Sequence, residues 1–448
     1  MTVSYWSGKA AENSSLQQYF KEGMQTFEDQ HSNINVDLNI LAWGQLTQKY
    51  ITTMQSGTSP PALASAGTYG LEMFRNGAVE DLSTYMEGDP DLPEKWTPTM
   101  QESTDYRGQR WAGGIGAINT THLGLNVSLF KEHTDVQAPE EDLNTWTQLR
   151  RALDQIQEGT GDGVYPYEVT GTQADVEAYW GAARTAYTGG TDPWIDVTDQ
   201  GSPENPVVKP GQTERTDGMI KNNIDLGEQY SSGGYPSRGD EGVLPMLVND
   251  KVAAYNYGVS VQGIRGLTPN ATFGWDGDYM AISTPKLDPN YGEEFNLPEL
   301  AGKEGQHGGH TWSLEGQLCV SKSKSSAVKE ATYQLLKFRN TSPEFCLELY
   351  ASPDLAQAVP AYTPLLDDIR SEEYADMRTQ VHNHMIEELA NYGENFRTTG
   401  AAWDTPGTNT IRWDQIGGTM AEAYAGQISR ENAASTMGDR IRSTLAEQ

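Results

Sequence analysis

The chain has 448 residues, 36% of them hydrophobic and 21% charged, with 46 glycines, 22 tyrosines and 11 tryptophans. That length accommodates two or three domains with sizeable cores, and the aromatic content excludes a disordered chain. A formal net charge of −31, from 62 acidic against 31 basic residues dispersed along the sequence, disfavours binding to nucleic acid, which needs clustered Lys and Arg.

In chain order, Val3 to Trp6 predicts a short strand. Leu16, Phe20, Met24 and Phe27 recur at helical spacing and mark an amphipathic helix. Ile34, Val36, Leu38 and Ile40 alternate strictly and predict a strand. Trp43, Leu46, Tyr50 and Met54 give a second helix, stopped by Gly57. Pro61 to Ala64 is a third, buried strand. This β-α-β-α-β order predicts a parallel sheet with right-handed crossovers, whose ligands sit beyond the carboxyl ends of the strands. Those ends are Ser7-Gly8-Lys9, Ala42 to Gln45 and Ser65 to Gly70, all polar, Gly-bearing or aromatic.

Glycines crowd the segment Tyr106 to Leu125, which predicts a bend between two bodies rather than a central strand. A new α/β pattern follows, with a helix through Trp146, Leu149, Leu153 and Ile156, a strand at Tyr165–Val169, and a helix through Val176 to Ala183 before Gly189-Gly190. Residues from about Asp196 to Asp217 read as a surface loop. A helix at Met219–Tyr230 and strands at Val252–Tyr257 and Tyr279–Ser283 come next, then a polar excursion from Lys286 to His307. Gly308 to Pro343 combines a glycine pair, the apolar run Leu318-Cys319-Val320, a polar turn, and a helix with Ala327, Ala331, Leu335 and Phe338 on one face. The tail after Asp367 is helical. Cys319 and Cys346 are expected as free buried thiols, and they make no metal site.

This order resembles the maltose-binding-protein-like class of extracellular solute-binding proteins of sugar ABC transporters, along nearly the whole chain. Gly426 ends a small-residue helix with Trp413 at the family's offset for a sugar-stacking ring. Glu177 and Tyr179 precede Gly189-Gly190, and Asn119 precedes Leu125-Asn126, as the family's contact residues do. The resemblance implies an α/β, two-lobed periplasmic-binding-protein-like fold (type II), with discontinuous lobes joined by three hinge segments. It places residues 1–118 and 282–317 in one lobe and 119–281 and 318–448 in the other, with crossings near Gly113–Thr120, Tyr279–Ser283 and Glu315–Ser321. It implies a sugar, mono- or oligosaccharide, captured in an inter-lobe cleft and delivered to the membrane permease subunits of an ABC transporter. No cofactor, metal or nucleic acid is expected, and the protein is expected to act as a monomer on the outer face of the cell membrane, lipid-anchored after loss of a targeting segment. Abundant acid with only 14 lysines resembles a haloarchaeal protein working in high salt, although a plain solvated acidic surface reads the same way. Asn13, Asn126, Asn270 and Asn340 each begin an N-x-Ser/Thr sequon, which fits an exterior location. The loop after the third strand, Ser65 to Tyr69, lacks the maltose protein's Trp and charged pair, so maltose itself does not carry over.

A sugar presents an apolar face and a rim of hydroxyls, so its site needs flat rings beside amides, carboxylates and hydroxyls. Trp43, Tyr69, Tyr179, Tyr257, Trp312 and Trp413 are the candidate rings, with Trp275 and Trp403 on the rim. Lys9, Gln45, Thr68, Asn119, Glu177, Gly309 and His310 are the candidate polar contacts. For each ring the alternative is core packing; for His310 it is a loop histidine satisfied by backbone. Two other functions share these residue types: a glycan-degrading enzyme, and a solute-binding protein for a non-sugar ligand. No Gly-x-Ser-x-Gly elbow, P-loop or HExxH motif is present, and a phosphate ester would want more cations than Lys9.

Overall fold

The protein is described here by a computed structural model covering residues 1–57, 59–113, 117–120, 122–171, 192–197, 201–202, 205–255, 260–313, 317–393, 396–398 and 407–447. The chain forms two compact units. The first comprises Met1–Asn119 and Trp312–Arg378, the second Thr120–Thr311 and Thr379–Gln448. The chain therefore passes between them three times, at 119/120, 311/312 and 378/379.

The first unit begins with β1 (Thr2–Ser7), which is parallel to both β2 (Asn35–Ile40) and β3 (Leu63–Ser65). The crossovers are α1 (Ser14–Gln30) and α2 (Trp43–Ser56). In α1 the stripe Leu16, Phe20, Met24 and Phe27 is buried, and the Asn13 side chain caps the helix by accepting from the Leu16 amide at 2.8 Å. In α2 the buried stripe is Leu46, Tyr50 and Met54, and Gly57 ends the helix at φ 66°, a left-handed turn that glycine adopts without strain. Burying each such apolar side chain contributes roughly 1.5–3 kcal/mol. Helix α3 (Thr68–Arg75) leaves β3, and β4 (Ala117–Thr120) leads out of the unit.

The second unit is built on a four-stranded sheet. Strand β5 (Leu123–Asn126) lies between β8 (Tyr279–Ile282) and β7 (Val252–Tyr255), antiparallel to both, and β6 (Tyr165–Glu168) runs parallel to β7. Its strands are apolar and almost wholly buried, as expected where helices cover both faces. Helix α4 (Val127–His133) follows β5. Helix α5 (Trp146–Gly159) opens with a capping box from Thr145 and Gln148. Helix α6 (Glu214–Tyr230) packs on a C-terminal helix, and β9 (Gly309–Ser313) carries the chain back to the first unit.

There β10 (Leu318–Val320) pairs antiparallel with β3, giving the order β10-β3-β1-β2. Helix α7 (Ser326–Thr341), capped by Ser325, packs on β1 and buries Ala331, Leu335, Leu336 and Phe338. Helix α8 (Pro343–Ala351) inserts Phe345 against Phe20 and Phe338, into space left by Gly23, where a Cβ would lie 2.2 Å from the ring. Strand β11 (Val359–Pro360) pairs with Ile118 and Ala117 of β4. The second unit is completed by α9 (Gln380–Tyr392), β12 (Phe396–Thr398) beside the first part of β9, α10 (Gly418–Tyr424) and α11 (Arg430–Ala446), the helix on α6. Both cysteines are buried and neither is in a disulfide. No helix among the described residues is long and apolar enough to cross a membrane.

The units correct the expected lobe boundaries of 1–118 with 282–317 and 119–281 with 318–448. Residues 282–311 stay in the second unit, because Ile282 pairs with Leu123 and the excursion after it is tied down by the Trp146 amide donating to the Lys286 carbonyl at 3.0 Å. Residues 318–378 belong to the first unit, because β10 hydrogen-bonds β3 and α7 packs on β1. The expected crossing at Tyr279–Ser283 is an ordinary sheet strand, and the expected one at Glu315–Ser321 falls a few residues late.

Candidate functional site

The carboxyl ends of β1, β2 and β3 form one edge of the first unit's sheet. After β1 the chain makes a single 3₁₀ turn at Lys9–Ala11. That turn places the Lys9 ammonium 2.5 Å from Oε2 of Glu12, while Oε1 of Glu12 accepts the indole N–H of Trp43 at 3.1 Å. Trp43 is the first residue of α2, and its half-buried ring covers Gly8 so closely that a Cβ there would stand 2.5 Å from ring carbons. One carboxylate thus orients both a cation and an aromatic plane. Gln45 is exposed on the first turn of α2.

Neither α2 nor α3 has a side-chain cap. Their first amides keep donor capacity for another acceptor, in the part of each helix where the dipole favours negative charge. Open starts are not confined to this edge: α1, α4, α5, α7 and α9 are capped by side chains, whereas α6, α8, α10 and α11, like α2 and α3, are not. Gly67, before α3, has φ 54° and ψ −149°, a conformation essentially restricted to glycine. Tyr69 is half-buried on α3.

In the second unit Trp413 lies in an eight-residue π-helical segment, Thr410–Gly417, that runs directly into α10. Such segments are rare and concentrate at functional sites. The Arg412 guanidinium lies 4.1 Å from the centroid of the Trp413 ring. Trp413 is half-buried, yet its Nε1 is buried and has no hydrogen-bond partner among the described residues. An indole N–H left in that state costs about 1–3 kcal/mol. Gly426, at φ 71°, terminates the helix that Trp413 leads into.

At the carboxyl end of β6, Glu168 is fully buried. It accepts from the Ser232 amide at 2.8 Å, the Ser232 hydroxyl at 2.7 Å and Nε of Arg238 at 2.8 Å. Burial pushes its carboxyl above the ordinary range despite these donors. Among the described residues no three His, Cys, Asp or Glu side chains gather in a metal-holding group.

Lys9 and Trp43 are therefore brought together, with Gln45 on the same helix start as Trp43. Thr68, Asn119, Gly309, His310 and Trp312 have described backbones, in α3, β4 and β9, while their side chains lie outside the described residues. Glu177, Tyr179, Tyr257 and Trp403 lie outside them altogether. Trp275 sits beneath Lys131, 4.9 Å from the ammonium to the ring centroid. Sequence reasoning missed Glu12, although its position three residues after Lys9, following a glycine, was a readable signal.

Residues 7–295 match the family described as bacterial extracellular solute-binding protein, and the chain belongs to that family. A binding protein of Brucella abortus is 22% identical over 187 residues, a match spanning 42% of this chain and 42% of the relative. Among solved structures, an ABC transporter solute-binding protein from Thermotoga lettingae bound with alpha-D-tagatose is similar with a TM-score of 0.75 at 17% identity, covering 99% of both chains. The GacH receptor of Streptomyces glaucescens, solved unliganded and with acarbose, has a TM-score of 0.70 at 17% identity over 100% of this chain and 98% of that one. Maltose-bound MalE3 of T. maritima has a TM-score of 0.70 at 15% identity, over 99% of this chain and 100% of that one. These likenesses establish the two-lobed, type II binding-protein fold.

Proposed function

We propose that this chain is the substrate-binding component of an ABC importer, that it captures a sugar, and that it hands the sugar to membrane permease subunits without chemical change. The observation that carries the reading is the Lys9–Glu12–Trp43 group at the carboxyl edge of the parallel sheet. It sets a flat ring beside an ammonium and a carboxylate, with uncapped helix amides at hand. That combination matches a ligand with an apolar face and many hydroxyls. Trp413, whose buried N–H lacks a partner among the described residues, is a further proposed contact, as are Glu177, Tyr179 and Tyr257. Thr68, Tyr69, Asn119, Gly309, His310 and Trp312 complete the proposed set. The solved relatives bound to tagatose, acarbose and maltose support a carbohydrate. Glu168, buried and closed on Ser232 and Arg238, is not included among the proposed contacts. The same proposal places a monomer outside the cell, tethered by a lipid anchor.

A thermal-shift screen in high salt with D-glucose, D-tagatose, maltose, xylobiose and acarbose tests this. One sugar at 100 times its Kd should stabilise the protein by about 2.7 kcal/mol and be recovered intact by chromatography. Stabilisation by a non-sugar solute alone would overturn the ligand class; release of a shorter sugar would overturn the binding role.

A further inference from the structure

Beyond the proposed sugar contacts, the second unit holds a buried polar cluster where two of the three chain passages enter it. Thr120 is the first residue of the second unit after the first passage, and α9 begins directly after the third. The Thr120 hydroxyl donates to Oε2 of Glu388 on α9 at 2.9 Å. The other Glu388 oxygen stands 3.4 Å from Nε2 of His384, one turn earlier on the same helix, a Coulombic pair rather than a short hydrogen bond. His122 closes the group, with Nδ1 3.2 Å from the Thr120 carbonyl and its ring edge-on to His384 at 6.0 Å. All four side chains are buried, none more than 7% exposed. The start of α9 is registered separately. The Gln380 amide group accepts from the Ala281 N–H at 3.0 Å and donates to the Ala281 carbonyl at 2.7 Å, extending the bonding of β8.

We propose that Glu388 and His384 are positioning residues, which lock Thr120, the last residue of β4, to α9 in the second unit and thereby fix the backbone next to Asn119, a proposed ligand contact. A buried carboxylate is costly unless paired, so the lock holds its geometry only while both partners carry charge. Burial opposes the charged forms. Even so, His384, His122 and the Thr120 hydroxyl hold Glu388 below the ordinary glutamate range, and Glu388 holds His384 above the ordinary imidazole range. Glu140 on the short helix Pro139–Asp142 and Glu387 on α9 add to the field on His384. His307 faces the pair from the loop before β9, bonded to Thr284 and Asn144 and held below the ordinary imidazole range by burial, with Lys286 beside it.

The sign follows from those directions. A lowered Glu388 stabilises above the unfolded value of 4.5 and loses that contribution as pH falls through its folded value. A raised His384 stabilises below 6.5 and loses that contribution as pH rises through its folded value. Protection of the two segments should therefore be bell-shaped in pH.

The test is amide hydrogen exchange on the ligand-free full chain, corrected for intrinsic rates. Glu388→Gln should speed exchange in residues 117–123 and 380–392 by about tenfold or more, leaving β6 and β7 unchanged. His384→Gln should remove the alkaline limb of the profile. Thr120→Val should reproduce the Glu388→Gln pattern, and Thr120→Ser should restore protection; this pair carries the test if Glu388→Gln does not fold. Faster exchange spread evenly over the second unit, or none at the two segments, overturns the lock. The ligand half rests on the sugar reading. Among the five sugars screened above, the one giving the largest shift should bind Glu388→Gln about tenfold more weakly in calorimetry. Unchanged affinity beside faster exchange overturns the presentation of Asn119. A wild-type chain that binds none of the five sugars, yet shows the exchange pattern, overturns the sugar reading and leaves the lock standing.

Discussion

The carboxyl ends of the parallel strands are furnished differently in the two units. In the first, a buried Lys9 is linked through Glu12 to Trp43, the latter two partly exposed, and the following helices start without caps. In the second, β6 ends on Glu168, fully buried and bonded to Ser232 and Arg238, and neighbouring Tyr255 of β7 is buried completely. Among the described residues, the same topological feature is partly exposed in one unit and closed on the protein's own side chains in the other. Among the described residues, the contact proposed for the second unit is Trp413, on the π-helical segment Thr410–Gly417 rather than at a strand end.

Replacing Glu168 is the strongest way to break this comparison. Glu168→Ala strands a guanidinium that is 28% exposed and two Ser232 donors, and is expected to destabilise the second unit by about 3 kcal/mol. Urea unfolding reads the loss, and calorimetry on the folded fraction should find sugar affinity nearly intact. Trp43→Ala should do the reverse. Removing a half-buried ring at the proposed site should weaken sugar binding by about 2 kcal/mol, some thirtyfold, with the urea midpoint little changed. If the two variants exchanged phenotypes, the assignment of an open and a closed edge would be inverted.

Acid distinguishes Asp91 of the first unit from Glu168 of the second by sign. Lys337 and Lys95, with Tyr362, hold Asp91 of the first unit down at about 2. That contribution is present above the unfolded value of 3.8 and disappears as pH falls toward 2. Glu168, raised by burial, works the other way, its protonated form being the one the fold favours. Lys337→Met, which removes the ion pairs to Asp89 and Asp91, should move the acid unfolding of the first unit to higher pH by a few tenths of a unit. Circular dichroism across pH 2–5 would show it, and an unshifted transition would remove this network from the account.

Much of this division was legible in the sequence. The stripe Leu16, Phe20, Met24 and Phe27 gave α1, the alternation Ile34 to Ile40 gave β2, and the β-α-β-α-β order gave the parallel sheet and its ligand edge. Lys9 and Trp43 followed from that edge. Lobe membership after residue 281 was not legible. Leu318-Cys319-Val320 is an apolar run whose periodicity says that it is buried but not which sheet buries it, and only its pairing with β3 assigns it. The Glu388 cluster was hidden for the same reason. Thr120 and Glu388 are 268 residues apart, and no local pattern announces a bond between them. The i, i+4 spacing of His384 and Glu388 on one helix was the visible half.

The smallest expected effect sharpens the comparison most. Glu12→Gln keeps an acceptor for the Trp43 indole but removes the charge facing Lys9. In the first unit Lys9 is 8% exposed and Glu12 31%, so the variant leaves a shielded ammonium without its counter-charge, but the new amide keeps an oxygen within reach of it, and folding stability should fall by only about 1 kcal/mol. Its consequence is directional instead. The Lys9 ammonium, no longer held by Glu12, becomes available to a ligand oxygen, and the Trp43 ring keeps its place over Gly8 through packing. Sugar affinity should then shift by no more than about fivefold, and a larger share of what remains should weaken with added salt. Gly8→Ala provides the contrast, because its Cβ would displace the ring itself while leaving the ion pair charged. If Glu12→Gln weakened binding as severely as Gly8→Ala, the carboxylate would be contacting the sugar directly, and its role would be recognition rather than orientation of the ring.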